Sequence, residues 1–311
     1  MLDSLTIHVP ATSANLGPGF DCLGLAFSLG NRVRISAADA NFAPVTVHTP
    51  DAGRVPSGER NIIFVAARTL FSFLGHDVSF RLDAWNDIPH SRGLGSSSAA
   101  RVGGLVAANE WARTRSWNTA SSEDLLNLAT ELEGHPDNAA AALLGGLTVS
   151  GTVENGGRKT ANALQFPVAR WPYFAVWIPD AELPTSQARA ALPATVPHHD
   201  AVFNLSRTAL LLACLAKGEW SALPDALDDR LHQPQRASLI PDWPVIERAA
   251  TASGALATTI SGAGSTLLLW LPDEASRTRA VDAVKVAAQE NNLSGRVLAL
   301  EVDERGARVV E

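Results

Sequence analysis

Residues 89–100 read Pro-His-Ser-Arg-Gly-Leu-Gly-Ser-Ser-Ser-Ala-Ala, and this stretch decides how the chain is interpreted. An extended pattern at 78–86 precedes it, and a helical pattern at 99–109 follows it. Gly93 and Gly95 allow positive φ, and the N–H groups of a helix start receive anions well. No Lys precedes the serines, as it does in the common P-loop. The segment predicts a phosphate-binding turn, although alone it could equally be a plain Ser-capped helix.

A second polar segment lies near the amino terminus. Residues 10–24 read Pro-Ala-Thr-Ser-Ala-Asn-Leu-Gly-Pro-Gly-Phe-Asp-Cys-Leu-Gly, after an alternating strand pattern at 5–9. The segment is longer than a tight hairpin needs, and long loops often carry function. Asn15 and Asp21 are its side chains best suited to hold a small polar ligand. The alternative is that both residues only tie down their own turns.

A third segment, Glu131-Leu-Glu-Gly-His-Pro-Asp-Asn138, joins two helical patterns. The second helix is expected to begin near Ala139, with Asn138 or Asp137 as its cap. A carboxylate from the first helix, followed by His135 and the Asp-Asn pair, would supply a metal ligand and groups that handle a hydroxyl. Taken alone, His135 is more often a surface or capping residue than a catalyst.

Together these segments resemble the GHMP small-molecule kinases, which include kinases of galactose, homoserine, mevalonate and phosphomevalonate. Segment 10–24 resembles the amino-terminal motif of the members that act on homoserine, and 89–100 resembles the ATP-phosphate loop. Ile260-Ser-Gly-Ala-Gly-Ser-Thr-Leu267 resembles the third, Gly-rich motif, with Ser265 where Pro often stands. The motifs follow the family's order over nearly the whole chain. The resemblance implies ATP as phosphoryl donor, Mg²⁺ as cofactor and L-homoserine as acceptor, a step of threonine biosynthesis.

The pattern of strands and helices indicates an α+β fold with two domains, residues 1–160 and 161–311, divided within the polar stretch 153–163. The second half follows the order βαββαβ with extra helices inserted. By resemblance this is the two-domain GHMP kinase architecture. The amino-terminal domain would be similar to domain 2 of ribosomal protein S5 and carry the ATP phosphate loop, and the carboxyl-terminal domain would be ferredoxin-like. A small ligand commonly binds between two such domains.

The resemblance also assigns nucleotide and metal roles. The implied metal ligands are the Ser97 hydroxyl and a Glu before Gly134, with Glu133 favoured and Glu131 left open; Mg²⁺ takes oxygen ligands and keeps several waters. Asn61 is a weaker candidate for an adenine contact. The predicted ATP-binding residues are Asn61, Pro89, His90, Ser91, Arg92, Gly93, Leu94, Gly95, Ser96, Ser97, Ser98 and Ala99.

A zwitterionic substrate needs charged partners at both ends. Its carboxylate favours arginine, and Arg189 and Arg236 stand at the family's substrate positions. Thr185 lies four residues before Arg189, so the two share a helix face. Asp21 is expected to face the ammonium group, with Asn15 beside it.

The residues that handle the hydroxyl are His135, Asn138 and Asp137. The first two are expected to orient it, since phosphoryl transfer needs mainly positioning and charge neutralisation. The sequence leaves open whether Asp137 is a general base or only a helix cap. Two other functions also remain: a GHMP kinase for another alcohol, and a regulatory binding protein on the same fold. The complete phosphate-loop serines disfavour the second, and Asp21 disfavours mevalonate, which has no ammonium group.

Composition sets the remaining expectations. The net charge of −7 argues against nucleic acid or an anionic membrane as the main partner. Cys22 and Cys214 lack metal-like spacing and are expected to be reduced thiols. The most apolar run, 209–216, is too short to cross a bilayer, and the first motif begins too early for a signal peptide. A cytoplasmic location is expected, and the family implies a possible homodimer.

Overall fold

The computed structural model describes residues 3–38, 44–48 and 55–310, which form two sheets with helices packed against them. The strands are β1 Ser4–Ala14, β2 Leu23–Ala37, β3 Val45–Val47, β4 Phe80–Trp85, β5 Leu147–Asn155, β6 Arg158–Phe166, β7 Tyr173–Pro179, β8 Ala257–Ile260, β9 Leu267–Leu271, β10 Gly295–Leu300 and β11 Arg308–Val309. The helices are α1 Ile62–Phe73, α2 Ser96–Thr114, α3 Ser122–Glu133, α4 Asp137–Leu144, α5 Thr185–Ala190, α6 His198–Lys217, α7 Leu223–Ala226, α8 Gln233–Arg236, α9 Trp243–Ala252 and α10 Glu274–Glu290.

The first sheet has the order β11-β1-β2-β4-β3, and β5 and β6 extend it from β2. Its centre is the long antiparallel pair of β1 and β2. Apolar side chains alternate along these strands, so that Ile7, Val9, Val33 and Ile35 are all fully buried. Helices α1 and α2 pack on each other, and α2 and α4 lie against β1 and β2, so the phosphate-loop helix sits directly on the central strands.

The second sheet has the order β10-β7-β9-β8, and all of its pairs are antiparallel. If β7, β8, β9 and β10 are numbered 1 to 4 along the chain, their order across the sheet is 4-1-3-2. Helices α9 and α10 pack against each other and against the sheet. The predicted βαββαβ order of a ferredoxin-like domain is confirmed, with α5, α6, α7 and α8 inserted before α9.

The predicted division at residues 160/161 is wrong, because it falls inside β6. Strands β5 and β6 pair with each other from Leu147↔Phe166 onward and belong to the first sheet. The stretch 153–163 is thus an exposed hairpin. Gly156 and Gly157, with φ of 58° and 80°, form its two-residue turn. Exposed strands joined by glycines have the same composition as a linker, and this similarity misled the sequence interpretation.

The segment at 10–24 is also less of a loop than expected. Strand β1 continues to Ala14 and β2 starts at Leu23, so only residues 15–22 leave the sheet. The pairing shifts register between Pro10 and Ala11. Small residues after this irregularity let the strand reach the phosphate loop, where the Thr12 N–H donates to the Leu94 carbonyl at 3.1 Å.

No helix within the described residues is long and apolar enough to cross a membrane.

Candidate active site

The predicted phosphate-binding turn lies at the start of α2. Gly95 precedes the helix with φ of 67°, and no side chain caps the first turn, so its N–H groups are open to an anion. A Cβ on Gly95 would lie 1.9 Å from the Thr12 hydroxyl, and one on Gly93 would lie 2.1 Å from the Ser261 carbonyl. Only glycine therefore fits at either position.

Arg92 fixes this turn to the end of β7. Its guanidinium donates to the carbonyl oxygens of Pro179, Asp180 and His90 at 2.8, 2.6 and 2.8 Å. The second half of the chain also donates backbone N–H groups to the turn, from Leu183 to Ser91 O and from Thr266 to Arg92 O. Arg92 lines the pocket, and its guanidinium holds the loop in place.

Ser97 and Glu133 meet across the pocket. The Ser97 hydroxyl donates to a Glu133 oxygen at 2.6 Å, and Arg101 pairs with the other oxygen. Glu131, by contrast, is exposed and does not line the pocket. A hydroxyl and a carboxylate are the oxygen donors that Mg²⁺ prefers, so this pair fits such an ion. No group of three or more His, Cys, Asp or Glu side chains suited to a metal occurs among the described residues.

His135 and Asp137 form a hydrogen-bonded pair at the centre of the pocket. Nδ1 of His135 lies 2.7 Å from an Asp137 oxygen, which also accepts from the Asn138 N–H at 2.7 Å. The Asp137 side chain is almost completely buried. This hydrogen bond raises the pKa of His135, against the opposing effect of burial.

Helix α4 begins at Asp137, so the predicted start near Ala139 is wrong. The residue in the capping position is Pro136, whose side chain makes no capping bond. Asp137 and Asn138 are therefore the first two residues of the helix, although the Asp137 carboxylate accepts from the Asn138 N–H in the first turn. The Thr12 hydroxyl donates to Asn138 Oδ1 at 2.8 Å and fixes the orientation of that amide.

The lining of the pocket also includes a pair of opposite charges. Arg189 donates twice to the Asp21 carboxylate, at 2.7 and 3.1 Å, and each side chain is about one-third exposed at 38% and 35%. Asn15 Oδ1 accepts from the Asp21 N–H at 3.0 Å, and its Nδ2 donates to Gly262 O at 2.8 Å. Burial acts to lower the pKa of Arg189, but the hydrogen bonds to Asp21 and its negative charge raise that pKa overall. The ion pair contains a carboxylate that can bind the ammonium group of a zwitterion and a guanidinium that can bind its carboxylate.

Arg236 lies deeper, with 1% of its surface exposed. Its Nε donates to Ala188 O at 3.2 Å, and its Nη1 donates to Gly262 O at 3.1 Å and to Nδ1 of His232 at 3.2 Å. Burial and then the charge of Arg189 lower the pKa of the Arg236 guanidinium. A carboxylate entering the pocket would meet a cation that is already held in position.

One pocket thus brings together most of the residues proposed from the sequence, although they come from distant segments. Those that line it are Asn15, Asp21, Ser91, Arg92, Gly93, Gly95, Ser96, Ser97, Ser98, Glu133, His135, Asp137, Asn138, Thr185, Arg189 and Arg236. Those that do not are Asn61, Pro89, His90, Leu94, Ala99 and Glu131. Sequence reasoning missed Gly262, whose carbonyl orients Asn15 and Arg236; its place in the Gly-rich motif was the available signal.

A second pocket adjoins the predicted phosphate turn. Apolar atoms of Val55, Pro56 and Ile62 form one wall, and His90 to Arg92 form the other. Asn61 stands behind it, fully buried. Its side chain caps α1 through the Ile63 N–H at 2.9 Å and donates to Pro56 O at 2.6 Å. Asn61 therefore supports the wall of this pocket.

The sheet order, the glycine-serine turn on α2 and the paired charges define a small-molecule kinase of the GHMP class, and the family models agree. The model for the N-terminal domain of GHMP kinases matches residues 61–146, and the model for the C-terminal domain matches 211–289. Together these matches span more than half of the chain.

Sequence relatives and solved structures indicate which branch of the GHMP kinases the chain resembles most. A homoserine kinase of Desulfitobacterium hafniense is 41% identical over 307 residues, covering 98% of this chain and 99% of that protein. A homoserine kinase of Gloeobacter violaceus is 45% identical, over 85% and 86% of the two chains. The crystal structure of homoserine kinase from Cytophaga hutchinsonii superposes with a TM-score of 0.89 at 29% identity, covering 100% and 98%. The chain therefore belongs to the homoserine kinase family of the GHMP kinases.

More distant structures share the fold alone. The mevalonate kinase of L. major, solved with R-mevalonate, gives a TM-score of 0.71 at 15% identity, with 95% of each chain covered. The architecture therefore does not by itself determine the substrate.

Proposed function

We propose that this protein transfers the γ-phosphoryl group of ATP to the side-chain hydroxyl of L-homoserine and releases O-phospho-L-homoserine and ADP. One observation carries the proposal: the lining of a single pocket contains both the predicted phosphate-binding turn and the Asp21, Arg189 and Arg236 charges. His135 and Asn138 line the pocket as well. This arrangement matches a short amino acid with a terminal hydroxyl.

Substrate recognition would use each charge of the zwitterion. The ammonium group would take the Asp21 carboxylate, and the carboxylate would take Arg189 and Arg236, with Thr185 at the pocket rim. The substrate would thereby replace both halves of the existing Asp21–Arg189 ion pair. An anion without an ammonium group would break that pair and leave Asp21 without a partner, which is costly for a half-buried charge.

The nucleotide would lie along the phosphate turn. Backbone N–H groups from Gly93 to Ser98 would cradle the phosphates, and the apolar pocket beside Pro56 and Ile62 would accept the adenine. Ser97 and Glu133 would hold Mg²⁺, which neutralises phosphate charge when bound. The resemblance, the donor set and the position of the pair at the helix start all support this assignment.

The chemistry would depend on positioning. The hydroxyl oxygen forms a bond to the γ-phosphorus, the bond to the ADP oxygen breaks, and the hydroxyl proton passes late to the transferred phosphoryl group. Asn138, held by Thr12, and His135, held by Asp137, would orient the hydroxyl. The Asp137 oxygen that accepts from His135 also accepts from the Asn138 N–H, which supports an orienting role over that of a base.

Location and assembly follow as expectations of the same proposal. A cytoplasmic enzyme with no nucleic-acid or membrane partner agrees with the negative net charge of −7. A homodimer is expected, and sedimentation of the purified protein will measure it.

A substrate screen tests the proposed function. ATP consumption is measured with homoserine, serine, threonine, shikimate and mevalonate, and the product is identified by phosphorus NMR. We expect turnover of homoserine far above that of the other alcohols. Turnover of mevalonate or shikimate without homoserine would overturn the substrate, and ATP binding without any turnover would indicate a regulatory protein.

A further inference from the structure

His232 is a buried, titratable side chain to which the chemistry above gives no part. It is fully buried, in the turn that leads into α8, and lies outside the lining of the pocket. Each ring nitrogen nevertheless contacts one group. Nε2 lies 2.8 Å from the Gly17 carbonyl oxygen, and Nδ1 lies 3.2 Å from Nη1 of Arg236. The ring therefore links the 15–22 loop to the innermost arginine of the pocket.

The two contacts determine which nitrogen carries the proton. A carbonyl oxygen only accepts, so Nε2 of His232 must carry hydrogen toward Gly17. A guanidinium only donates, so Nδ1 must offer its lone pair to Arg236. The neutral ring protonated at Nε2 satisfies both conditions. The other tautomer and the imidazolium each place N–H against N–H at one contact.

The surroundings favour this neutral ring. Burial lowers the pKa of His232, and the charge of Arg236 lowers it further, while Asp229 opposes both. Asp229 Oδ2 is 3.7 Å from Nε2. The Asp21 carboxylate also acts to raise the pKa, and the Phe20 ring lies 5.2 Å from the imidazole.

The backbone around His232 is held firmly. The Asp229 carboxylate accepts from the N–H groups of Leu231, His232 and Gln233 at 3.0, 2.9 and 2.6 Å. It also accepts from Asn204 Nδ2 at 2.6 Å. The ring therefore projects from a fixed base.

Arg236 has one nitrogen left for a ligand. Nε and Nη1 are occupied by two carbonyl oxygens and by His232, whereas Nη2 makes no hydrogen bond within the described part of the chain. The guanidinium is planar, so fixing Nε and Nη1 also fixes the direction of Nη2.

We propose that His232 is a positioning residue, which as a neutral imidazole holds Arg236 so that Nη2 receives the substrate carboxylate. The inference rests on the proposed function, because it takes an amino-acid carboxylate as the ligand of Arg236. It assigns His232 to substrate specificity, although His232 itself touches no substrate.

Two substitutions separate the two ring nitrogens. His232→Asn places an amide oxygen where Nδ1 stands, so it keeps the acceptor for Arg236 and loses the donor to Gly17. His232→Gln keeps a donor near Nε2 and loses the acceptor. For homoserine we expect His232→Gln to lower kcat/KM about tenfold through KM, with the KM of ATP unchanged. His232→Asn should stay within about threefold, less than the loss of one such bond.

A substrate analogue shows whether the effect passes through the carboxylate. In homoserinol, 2-amino-1,4-butanediol, a hydroxymethyl group replaces the carboxylate, and the ratio of wild type to His232→Gln should be near one. Equal losses in both variants, equal losses on both substrates, or a parallel rise in the KM of ATP would overturn the proposal and indicate a purely structural role.

A measurement on the unmodified protein covers the case in which a variant does not fold. Nitrogen-15 NMR of histidine-labelled wild type at pH 7.5 should show His232 neutral and protonated at Nε2. A ring protonated at Nδ1, or doubly protonated, would overturn the proposal. Failure of the proposed function would show separately, as absent homoserine turnover in the wild type, before any variant is compared.

Discussion

Two sets of residues line the pocket, named here the proposed phosphate end and the proposed substrate end, and they are built in opposite ways. The phosphate end uses backbone N–H groups and short hydroxyls from one continuous segment, 93–98. The substrate end uses charged side chains from distant segments: Asp21 and Arg189 are separated by 168 positions and lie 2.7 Å apart. The first end is formed by the backbone of one segment, which the second half of the chain also holds in place, and the second end exists only once both halves of the chain have packed.

This difference predicts how each end responds to change. A backbone site depends on residues that have no Cβ, so it is broken by added atoms. A site of buried charges depends on its partners, so it is broken by removing one of them. Substitutions in one end should therefore leave the affinity of the other end almost unchanged.

The largest effect is expected at Ser97 and Glu133, the proposed metal ligands. Ser97→Ala and Glu133→Gln should each lower kcat by about 10²–10³-fold, because each removes an interaction aimed at developing charge. Both should also raise the Mg²⁺ concentration needed for half-maximal rate, measured by magnesium titration at saturating ATP. Glu131→Gln is the matched control and should behave as wild type. An inactive Glu131→Gln variant together with an active Glu133→Gln variant would show that Glu131, and not Glu133, is the metal ligand.

Loss of a substrate arginine should come next. Arg189→Ala and Arg236→Ala should weaken homoserine binding about ten- to a hundredfold and leave ATP binding unchanged, since each removes a charge-assisted hydrogen bond. Calorimetric titrations with each ligand measure both affinities. Arg296→Ala, an exposed arginine on β10, serves as control. An equal loss of ATP affinity would mean that the two ends are not independent.

Asp137 lines the same pocket and should have a smaller effect. Asp137→Asn keeps the size of the side chain and one acceptor oxygen but cannot take a proton, so we expect activity within about tenfold of wild type, below the usual contribution of a base. Single-turnover rates and melting temperature are measured together. A loss of a thousandfold at unchanged melting temperature and unchanged substrate affinities would identify Asp137 as the general base.

The smallest effect concerns stability and pH. His232 is buried neutral with a lowered pKa, whereas the same residue titrates near pH 6.5 in the unfolded chain. Below about pH 6.5 the His232 side chain binds a proton in the unfolded state but stays neutral in the folded state. The free energy of unfolding therefore falls by at most about 1.4 kcal/mol for each unit that the pH is lowered. Urea unfolding between pH 8 and 5 measures this slope. His232→Asn should flatten it, and an unchanged slope would exclude His232 as its source.

The sequence alone predicted the glycine-serine turn that opens α2. Glycines and serines between a strand and a helix specify that geometry locally, and the end of α3 at Glu133 was marked by Gly134 with φ of 96°. The substrate end depended on a family resemblance, because no local pattern brings Asp21 to Arg189. Thr12 and His232 were missed because they act through Asn138 and Arg236. His232 stands four residues before Arg236, a spacing that was the available signal.

Helix caps and turns explain the remaining differences. The assumption that Asp or Asn must cap α4 overlooked that Asp137 hydrogen-bonds to His135, which only the folded pocket shows. The hairpin at Gly156 was misread because a polar, glycine-containing stretch has the composition of both a linker and an exposed turn. Composition does not separate these two states.

The contacts between the phosphate turn and the second half of the chain have a consequence for recombination. Leu183 and Thr266 donate backbone N–H groups to Ser91 and Arg92, and the Ser261 hydroxyl donates to Gly93 O at 2.7 Å. The predicted anion-binding turn is thus held only in part by its own segment, because residues 92, 174 and 168 positions away along the chain also bond to it. A chimera that joins the first half of this chain to the second half of a distant relative must therefore preserve these contacts between the halves. An unchanged glycine-serine motif would not be enough.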